Sequence, residues 1–586
     1  MAVEVASTHT MPAPLTYVAG VQIGRCESRV CVVRREASGE LTTVQFVQSD
    51  TGARSTPCVI ALSATGEYVI GEAAETQMAK NADATVPSVL ATLPRAADGA
   101  ALAENAAARC AAAGCSVAVS DVAGDVEIVL TPPPNEDEDE PPAKPGKLKG
   151  EDGAAKVLGR LKSLVDDFLG VEGNEPLCCV VAVPSAILGD AVAMASLKRA
   201  AKAAKLECLS WVSEGAAVAA AAADKIPKLD GVDGVAVLEV GGRGAACAAF
   251  LREPSSGVLS PVVAEAADDA LSGHAMADAL YGHCVTFLKR RQKIDVAEGG
   301  KKAQRKLRVA CVRAAKVLGT GAAEATVEAD ALVDGADARV RMTRARFDDL
   351  AGPIYAKAGA LGATAAAAFS ASAAKPAKVL PLLCGGACRA AAIRTAFVGA
   401  FEGFELVEDP GLLGSQVEVD ELAVHGAATQ AALLAFGAQP LIDEAATKVA
   451  KGAKKYASAR ADFCLATSAL PVLGGGLRVA AAKAAALPAD AAAAAAFAAA
   501  AKPLAPKGSP VPATHAASLE LAGDGAAAFV VAFDGDAPLA VLDCSKFAGA
   551  SKVELAATLD EKANLKLVAT VDGDENPASL DVPASA

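Results

Sequence analysis

Aromatic side chains are scarce: they make up 4% of the 586 residues, with a single tryptophan. A core with so few of them must be filled by smaller groups, chiefly alanine. Alanine loses no side-chain entropy in a helix but buries little area, so thin packing is expected around its runs. Positive charge is also short, with 55 Lys and Arg against 69 Asp and Glu for a net charge of −14. That balance lacks the basic footprint of a general nucleic-acid binder and excludes a DNA-binding role. It fits a well-solvated protein. No apolar run is long enough to span a bilayer. The strongest candidate, 491–501, is shorter than the roughly 20 residues a span needs. The first residues (MAVEVASTHTMPAP) hold no basic stretch followed by an apolar one, so no secretory signal is visible. The fifteen cysteines are odd in number and scattered, with Cys178 and Cys179 adjacent. They make a poor disulfide framework and fit reduced thiols in a cytoplasmic protein with no membrane partner.

Chemical clusters are missing too. The five histidines (His9, His274, His283, His425, His515) are far apart in sequence, and no Cys or His pairing has zinc-site spacing. Cys384 and Cys388 flank a helix start and read as buried. No arrangement argues for a serine or cysteine nucleophile, and no GxxxxGK[ST] loop is present.

What is present is an organised α/β chain. At about 150 residues per unit the length predicts three or four domains or lobes. The stretch TPPPNEDEDEPPAKPGK (131–147) carries five prolines and five consecutive acids between Pro132 and Pro142. It reads as a disordered surface insertion. An internal repeat is more informative. YVAGVQIGRCESRVCVVR (17–34) and VAVLEVGGRGAACAAFLR (235–252) share one grammar, two apolar runs around a glycine turn. Both predict β-hairpins. Two copies of such a unit predict two lobes with a cleft between them. Helices are expected at 190–205, 214–225, 301–318, 344–374, 389–401 and 420–436, and a buried strand at 379–384. Beyond about Pro440 short apolar stretches alternate with turn residues, which predicts an all-β region. Residues 481–505 read equally as helix or loop.

Glycines beside strands are the candidates for holding phosphate, because a backbone without Cβ can approach it closely and turn amides can point at it. Gly24, with Arg25 and Cys26, lies in the first hairpin. Gly241 and Gly242, with Arg243, lie in the second. Gly385 and Gly386 open a helix, where N-terminal amides attract anions. Each alone also reads as an ordinary turn; three in this order on two repeated units are more specific. Cys247 stands where a dinucleotide fingerprint would need its third glycine.

At this point the residues resemble a family. SDTGARSTPCVI (49–60), GEAAETQ (71–77), AVPSAI (182–187), SEGAAVAAAAADK (213–225), MTRARFDDL (342–350), LCGGACRAAAIR (383–394) and DELAVHGAATQAALL (420–434) are similar to stretches of the seventy-kilodalton heat-shock chaperones. The resemblance covers roughly 17–436. It implies a two-lobed, actin-like (ribonuclease-H-like) ATPase fold over 15–440, binding ATP or ADP, followed by a β-sandwich that clamps extended peptides. The expected divisions are a linker and Ala-rich stretch with possible first strands at 441–510, with PLIDEAA (440–446) as nearest linker, and a truncated β domain at 511–578. The helical lid is expected to be missing, as in the family's lidless, ribosome-associated regulatory branch.

The same register implies losses. The family's magnesium-holding aspartates fall on Gln22 and Glu239, with a further one on Ala246; its water-positioning lysine falls on Leu90; its supporting glutamate is kept as Glu214. Glu214 and Glu239 are therefore the residual candidates for catalysis and for a weakened Mg2+ site, and no catalytic residue is firmly assigned. Lys316 and Arg389 remain as adenosine contacts, while Val312 and Gly319 replace polar residues. Arg25 replaces a hydroxyl and either holds phosphate or blocks the cleft. Whether the chain is an ATPase stays open, with slow or absent hydrolysis expected.

Two functions compete. One is a chaperone or co-chaperone that binds nucleotide and unfolded or nascent polypeptides, with a J-domain co-chaperone, a nucleotide-exchange factor and the ribosome as candidate partners. The other is a non-hydrolysing scaffold that partners a J-domain protein. A sugar or acetate kinase on the same fold is disfavoured by the 49–60, 342–350 and 420–434 segments. The nine Lys and Arg between Lys289 and Arg308 read as an RNA or acidic-partner surface, or as a solvated face.

Overall fold

A computed structural model describes residues 16–436, apart from segments at 37–40, 79–80, 113–116, 123–124, 135–142, 172, 174, 223–230, 253–258, 263–264, 373 and 408–416, and, beyond them, eight strands between Leu477 and Val582. The chain divides into two compact units. The first holds 1–181, 191–208 and 424–448; the second holds 182–190, 209–423 and 449–586.

In the first unit, strands Tyr17–Ile23 and Glu27–Arg34 pair antiparallel from Tyr17 opposite Arg34 to Ile23 opposite Ser28. This is the first expected hairpin. Its apolar residues are buried continuously rather than alternately, the mark of a sheet covered on both faces. The sheet order is Leu206–Ser213, Leu177–Val183, Tyr17–Ile23, Glu27–Arg34, Gln45–Phe46. Helix Gly150–Leu169 packs on Glu27–Arg34 and on helix Ala191–Ala203. It buries Ala154, Val157, Leu158, Leu161 and Val165, which share one helical face. Helix Leu422–Phe436 buries Val424, Ala427, Ala428, Ala431 and Ala432 completely. Its alanines allow the backbone of Gly20 so close that a Cβ there would lie 2.1 Å from the Ala428 nitrogen.

A small sheet of Ala118–Val122, Asp125–Leu130 and Gly146–Lys149 also belongs to this unit. Gly146 and Lys147, expected inside the disordered insertion, instead pair with Leu130 and Val129. The correction has a local cause: GKLK has no proline, and Leu148 is buried. The acidic residues 135–142 lie outside the described residues. Asp98 is buried here. It accepts two bonds from the Arg109 guanidinium and one from the Arg95 amide. Burial pushes its carboxyl up, but the Arg109 and Arg95 contacts more than reverse this and hold it below the usual range. A carboxylate depressed by folding contributes stability above its unfolded value, near 4, which is lost as pH falls through the folded value. Asp98→Asn should therefore cost about 1–3 kcal/mol at pH 7, the worth of hydrogen bonds to a charged group. The gap from the parent should close in acid. Urea melts across pH 3–7 check this; a gap independent of pH would refute it.

The second unit repeats the plan. Strands Gly234–Gly241 and Gly244–Arg252 pair antiparallel, with Gly241 opposite Gly244, so two residues make the turn. Strand Lys378–Cys384 runs parallel on the other side of Gly234–Gly241. In both units the first hairpin strand thus lies between its hairpin partner and a third strand, as the internal repeat implied. Helices Gly273–Phe287, Gly300–Gly319 and Arg344–Ala371 supply much of the core. Aromatics are concentrated where they occur: the rings of Phe397 and Phe401 meet edge to face at 5.2 Å, and Phe369 and Phe404 join them. Helix Gly150–Leu169, helix Gly273–Phe287 and hairpin Glu324–Val333/Ala336–Thr343 were not expected from the sequence. The expected helix 389–401 is shorter, a turn Gly386–Arg389 followed by helix Ala391–Val398.

Beyond 476 the eight strands form two four-stranded sheets with antiparallel pairings. Strands Leu477–Lys483 and Lys502–Ala505 lie within the stretch expected to be linker and Ala-rich sequence. The linker candidate 440–446 and the run 491–501 lie outside the described residues. Among the described residues, no helix is long and apolar enough to cross a membrane.

Candidate functional site

The first glycine turn is fixed by a residue that the motifs of the sequence did not single out. Cys58 donates its thiol to the Gly24 carbonyl at 3.1 Å, and its amide bonds to the Cys26 carbonyl at 2.8 Å. Ser28 Oγ lies 2.7 Å from the same sulfur. Burial pushes this thiol far up, against the opposing bond from Ser28, so it stays neutral and acts as a clamp. Only its position beside the GARSTP stretch could have drawn attention to it. Arg25 is half-buried at the tip. Gln22, expected at an aspartate position, is buried opposite Arg29, which pairs with Glu27 at 2.7 Å. Leu90 is 1% exposed, in the short turn Val89–Thr92, whose carbonyls at Leu90 and Ala91 accept from Arg95 and Arg109.

In the second unit several expected residues converge. Glu239 sits near the end of Gly234–Gly241, opposite Ala246 on one neighbouring strand and in register with Cys384 on the other. Its carboxylate folds back toward the turn, so that a Cβ on Gly241 would lie 2.9 Å from Glu239 Oε1. Gly385 adopts φ +94°, and a Cβ there would lie 2.3 Å from the Val240 carbonyl oxygen. The Gly385–Gly386 turn is thereby pressed against the hairpin. A third element, missed from sequence, joins them. Helix Gly273–Phe287 starts with Ser272 capping the Ala275 amide, and both the His274 amide and its Nδ1–H donate to the Gly242 carbonyl, at 2.9 and 2.7 Å. Serine ahead of an apolar periodic run was the available signal. Two glycine turns and one helix N-terminus thus gather on one side of this unit, with the His274 and Ala275 amides already engaged.

The carboxylates lie close by. Burial chiefly, and then the charge of Glu239, the neighbouring Cys388 and the charge of Glu214, hold the Cys384 thiol well above its ordinary range. Cys388 is raised in the same way by burial and Glu239. Both thiols are buried, as expected, and stay protonated. Glu214 is buried at the start of helix Glu214–Ala222. These two carboxylates are what remains for a divalent cation, and among the described residues no group of three or more His, Cys, Asp or Glu could hold a metal.

The expected adenosine contacts are less clear. Lys316 is exposed on the last turn of Gly300–Gly319, a helix that lies against the Gly386–Arg389 turn. Arg389 is bound to Asp420 at 2.7 Å and to Glu418 at 3.1 Å. Three of the nine residues of the basic cluster are engaged within their own surroundings. Lys289 pairs with Asp295, Arg308 with Asp278 and the Tyr281 ring, and Lys306 bonds the Asp330 carbonyl. That favours a solvated face.

Comparison with known proteins matches this arrangement. The Hsp70 protein family model covers residues 18–442. The chain is 29% identical to heat shock cognate 70 kDa protein 3 of Dictyostelium discoideum, over 68% of this chain and 59% of that protein. It is 28% identical to heat shock 70 kDa protein 2 of Paracoccidioides lutzii, over 71% and 57% respectively. It is 30% identical to heat shock 70 kDa protein BIP3 of Oryza sativa subsp. japonica, over 71% and 56%. The matched region spans less than three fifths of the length of these relatives. With the repeated hairpin units and the glycine turns they carry, this places the chain in the Hsp70 protein family.

Proposed function

We propose that this protein is a chaperone or co-chaperone that holds ATP or ADP on its glycine turns and assists unfolded or nascent polypeptides, hydrolysing nucleotide very slowly or not at all. The observation that carries the second half is Leu90. The position where the family has its water-positioning lysine is a core side chain here, 1% exposed. Removing one preorganised charged group from a site typically costs about 100- to 1,000-fold in rate. Gln22 and Ala246 remove two carboxylates as well, and such losses do not compensate one another. Binding is proposed to rest on other groups: in the second unit, backbone of the Gly241–Gly242 and Gly385–Gly386 turns, and in the first, the charge of Arg25. Bound Mg2+ would add charge neutralisation at the phosphates, and Glu214 and Glu239 would face that ion. In this reading the C-terminal sheets form the peptide-clamping sandwich, and a J-domain protein or an exchange factor is the natural partner.

A scaffold that binds neither nucleotide nor peptide is the second reading. The ion pairs of Arg389 with Asp420 and Glu418 favour it, since they occupy a guanidinium expected at adenosine. Calorimetry with ATP, with and without Mg2+, and single-turnover hydrolysis on the same sample separate the two. Micromolar binding with negligible turnover is expected. Arg25→Ala should then weaken binding by about tenfold or more, the worth of a charge-assisted bond. No binding at millimolar ATP would leave the scaffold, and turnover at ordinary family rates would overturn the assignment of Gln22 and Leu90.

A further inference from the structure

We propose that Cys179 and Cys208 form a peroxide-sensitive dithiol, in which Cys208 is oxidised first and Cys179 resolves it into an intramolecular disulfide. The two residues lie on neighbouring strands, Leu177–Val183 and Leu206–Ser213, and the second of these is the edge of its sheet. Their sulfurs are 4.0 Å apart, with the Cys179 thiol directed at Cys208. Neighbouring strands run about 4.7–4.9 Å apart, inside the Cα separation of roughly 4.4–6.8 Å that a disulfide accepts. Side-chain rotation alone can bring the sulfurs together.

Exposure assigns the order. Cys208 is partly exposed on the edge strand, whereas Cys179 is 0% exposed. A dissolved hydroperoxide meets Cys208 and not its partner. The bond to Cys208, and then burial, keep the Cys179 thiol protonated well above its ordinary range, which suits a group that waits rather than one that reacts first. Among the described residues, the other cysteine contacts lack one of these features. Cys284 and Cys311 are also in contact but both are 0% exposed. Cys388 directs its thiol to the Cys384 carbonyl, and Cys58 to the Gly24 carbonyl. Cys178 is adjacent in a strand and so points to the opposite face from Cys179.

The chemistry balances with a hydroperoxide as oxidant. The Cys208 sulfur, losing its proton, attacks the peroxide oxygen; the O–O bond breaks, an S–O bond forms, and water or an alcohol leaves. The Cys179 sulfur then gives up its proton and attacks the sulfenic sulfur. The S–S bond forms as S–O breaks, and water leaves. Two thiols are oxidised by two electrons and one peroxide is reduced. The crosslink ties down the edge strand that leads directly into Ser213 and Glu214.

The test uses the full chain, treated with hydrogen peroxide, capped with iodoacetamide and digested with trypsin without reductant. The expected product links the peptides 163–198 and 206–225, two hydrogens lighter than their sum and separated by reductant. It should persist in Cys178→Ser and disappear in Cys179→Ser. Cys208→Ser, at a partly exposed edge position, provides a variant less exposed to folding failure, and in it Cys179 should stay unoxidised. A crosslink that survives Cys179→Ser, Cys208 passing to sulfinic acid with no crosslink in the parent, or oxidation appearing first at Cys284 and Cys311 would each overturn the proposal.

Discussion

Gly20→Ala should destabilise the first unit by about 3 kcal/mol, a large share of the 5–15 kcal/mol that holds a typical domain. Gly20 lies mid-strand, where alanine would ordinarily be the better residue by about 0.5–1 kcal/mol. The sign reverses here because of what the methyl would meet. Its position is 2.1 Å from the Ala428 nitrogen, 2.6 Å from its Cα and 2.7 Å from the Val424 carbonyl oxygen. All three are main-chain atoms of helix Leu422–Phe436, so no side-chain rotation can relieve the overlap. The helix would have to withdraw from the sheet and give up the burial of its alanine face. Urea unfolding of the variant and the parent measures the difference. A loss under about 1 kcal/mol, less than overpacking usually costs, would mean that the helix does not dock where the structure places it.

Gly385→Ala is expected to act on both stability and nucleotide. At φ +94° an alanine is strained, which costs on the order of 1–3 kcal/mol, and its methyl would lie 2.3 Å from the Val240 carbonyl oxygen. Relief would move the turn away from strand Gly234–Gly241, and so separate a pair of loops proposed to hold phosphate. ATP affinity should fall at least tenfold in the protein that remains folded. Gly386→Ala is the control that separates folding from binding. Gly386 is exposed, has no positive φ, and a Cβ there would meet only Arg389 Nη1, at 3.5 Å. The melt of this variant should match the parent while its ATP affinity falls, because the methyl would stand on the face proposed for the phosphate. Unchanged affinity in Gly386→Ala would show that this turn does not face the ligand.

Local pattern carried most of the fold. Two apolar runs around a glycine are enough to specify a hairpin, because strand period and turn conformation are properties of a few consecutive residues, and both hairpins stand at 17–34 and 234–252. The repeat of that unit implied two related halves before any contact was known. The helix at 301–318 follows from apolar period in the same way, and that at 420–436 from its Ala- and Leu-rich composition. The losses proposed at Gln22, Leu90 and Ala246 come from the same source, since register along a resembling chain needs no geometry. Sequence was silent wherever the partner is distant. Nothing local says that Gly20 must meet Ala428, that Cys58 clamps the turn at Gly24, or that His274 holds Gly242. Nothing local says that Glu418 and Asp420 engage Arg389, or that Cys208 meets Cys179 rather than any other of the fifteen cysteines. Identity and spacing set which conformations each segment prefers; only close packing of segments far apart in the chain decides which atoms touch, and therefore which of these residues can do chemistry together.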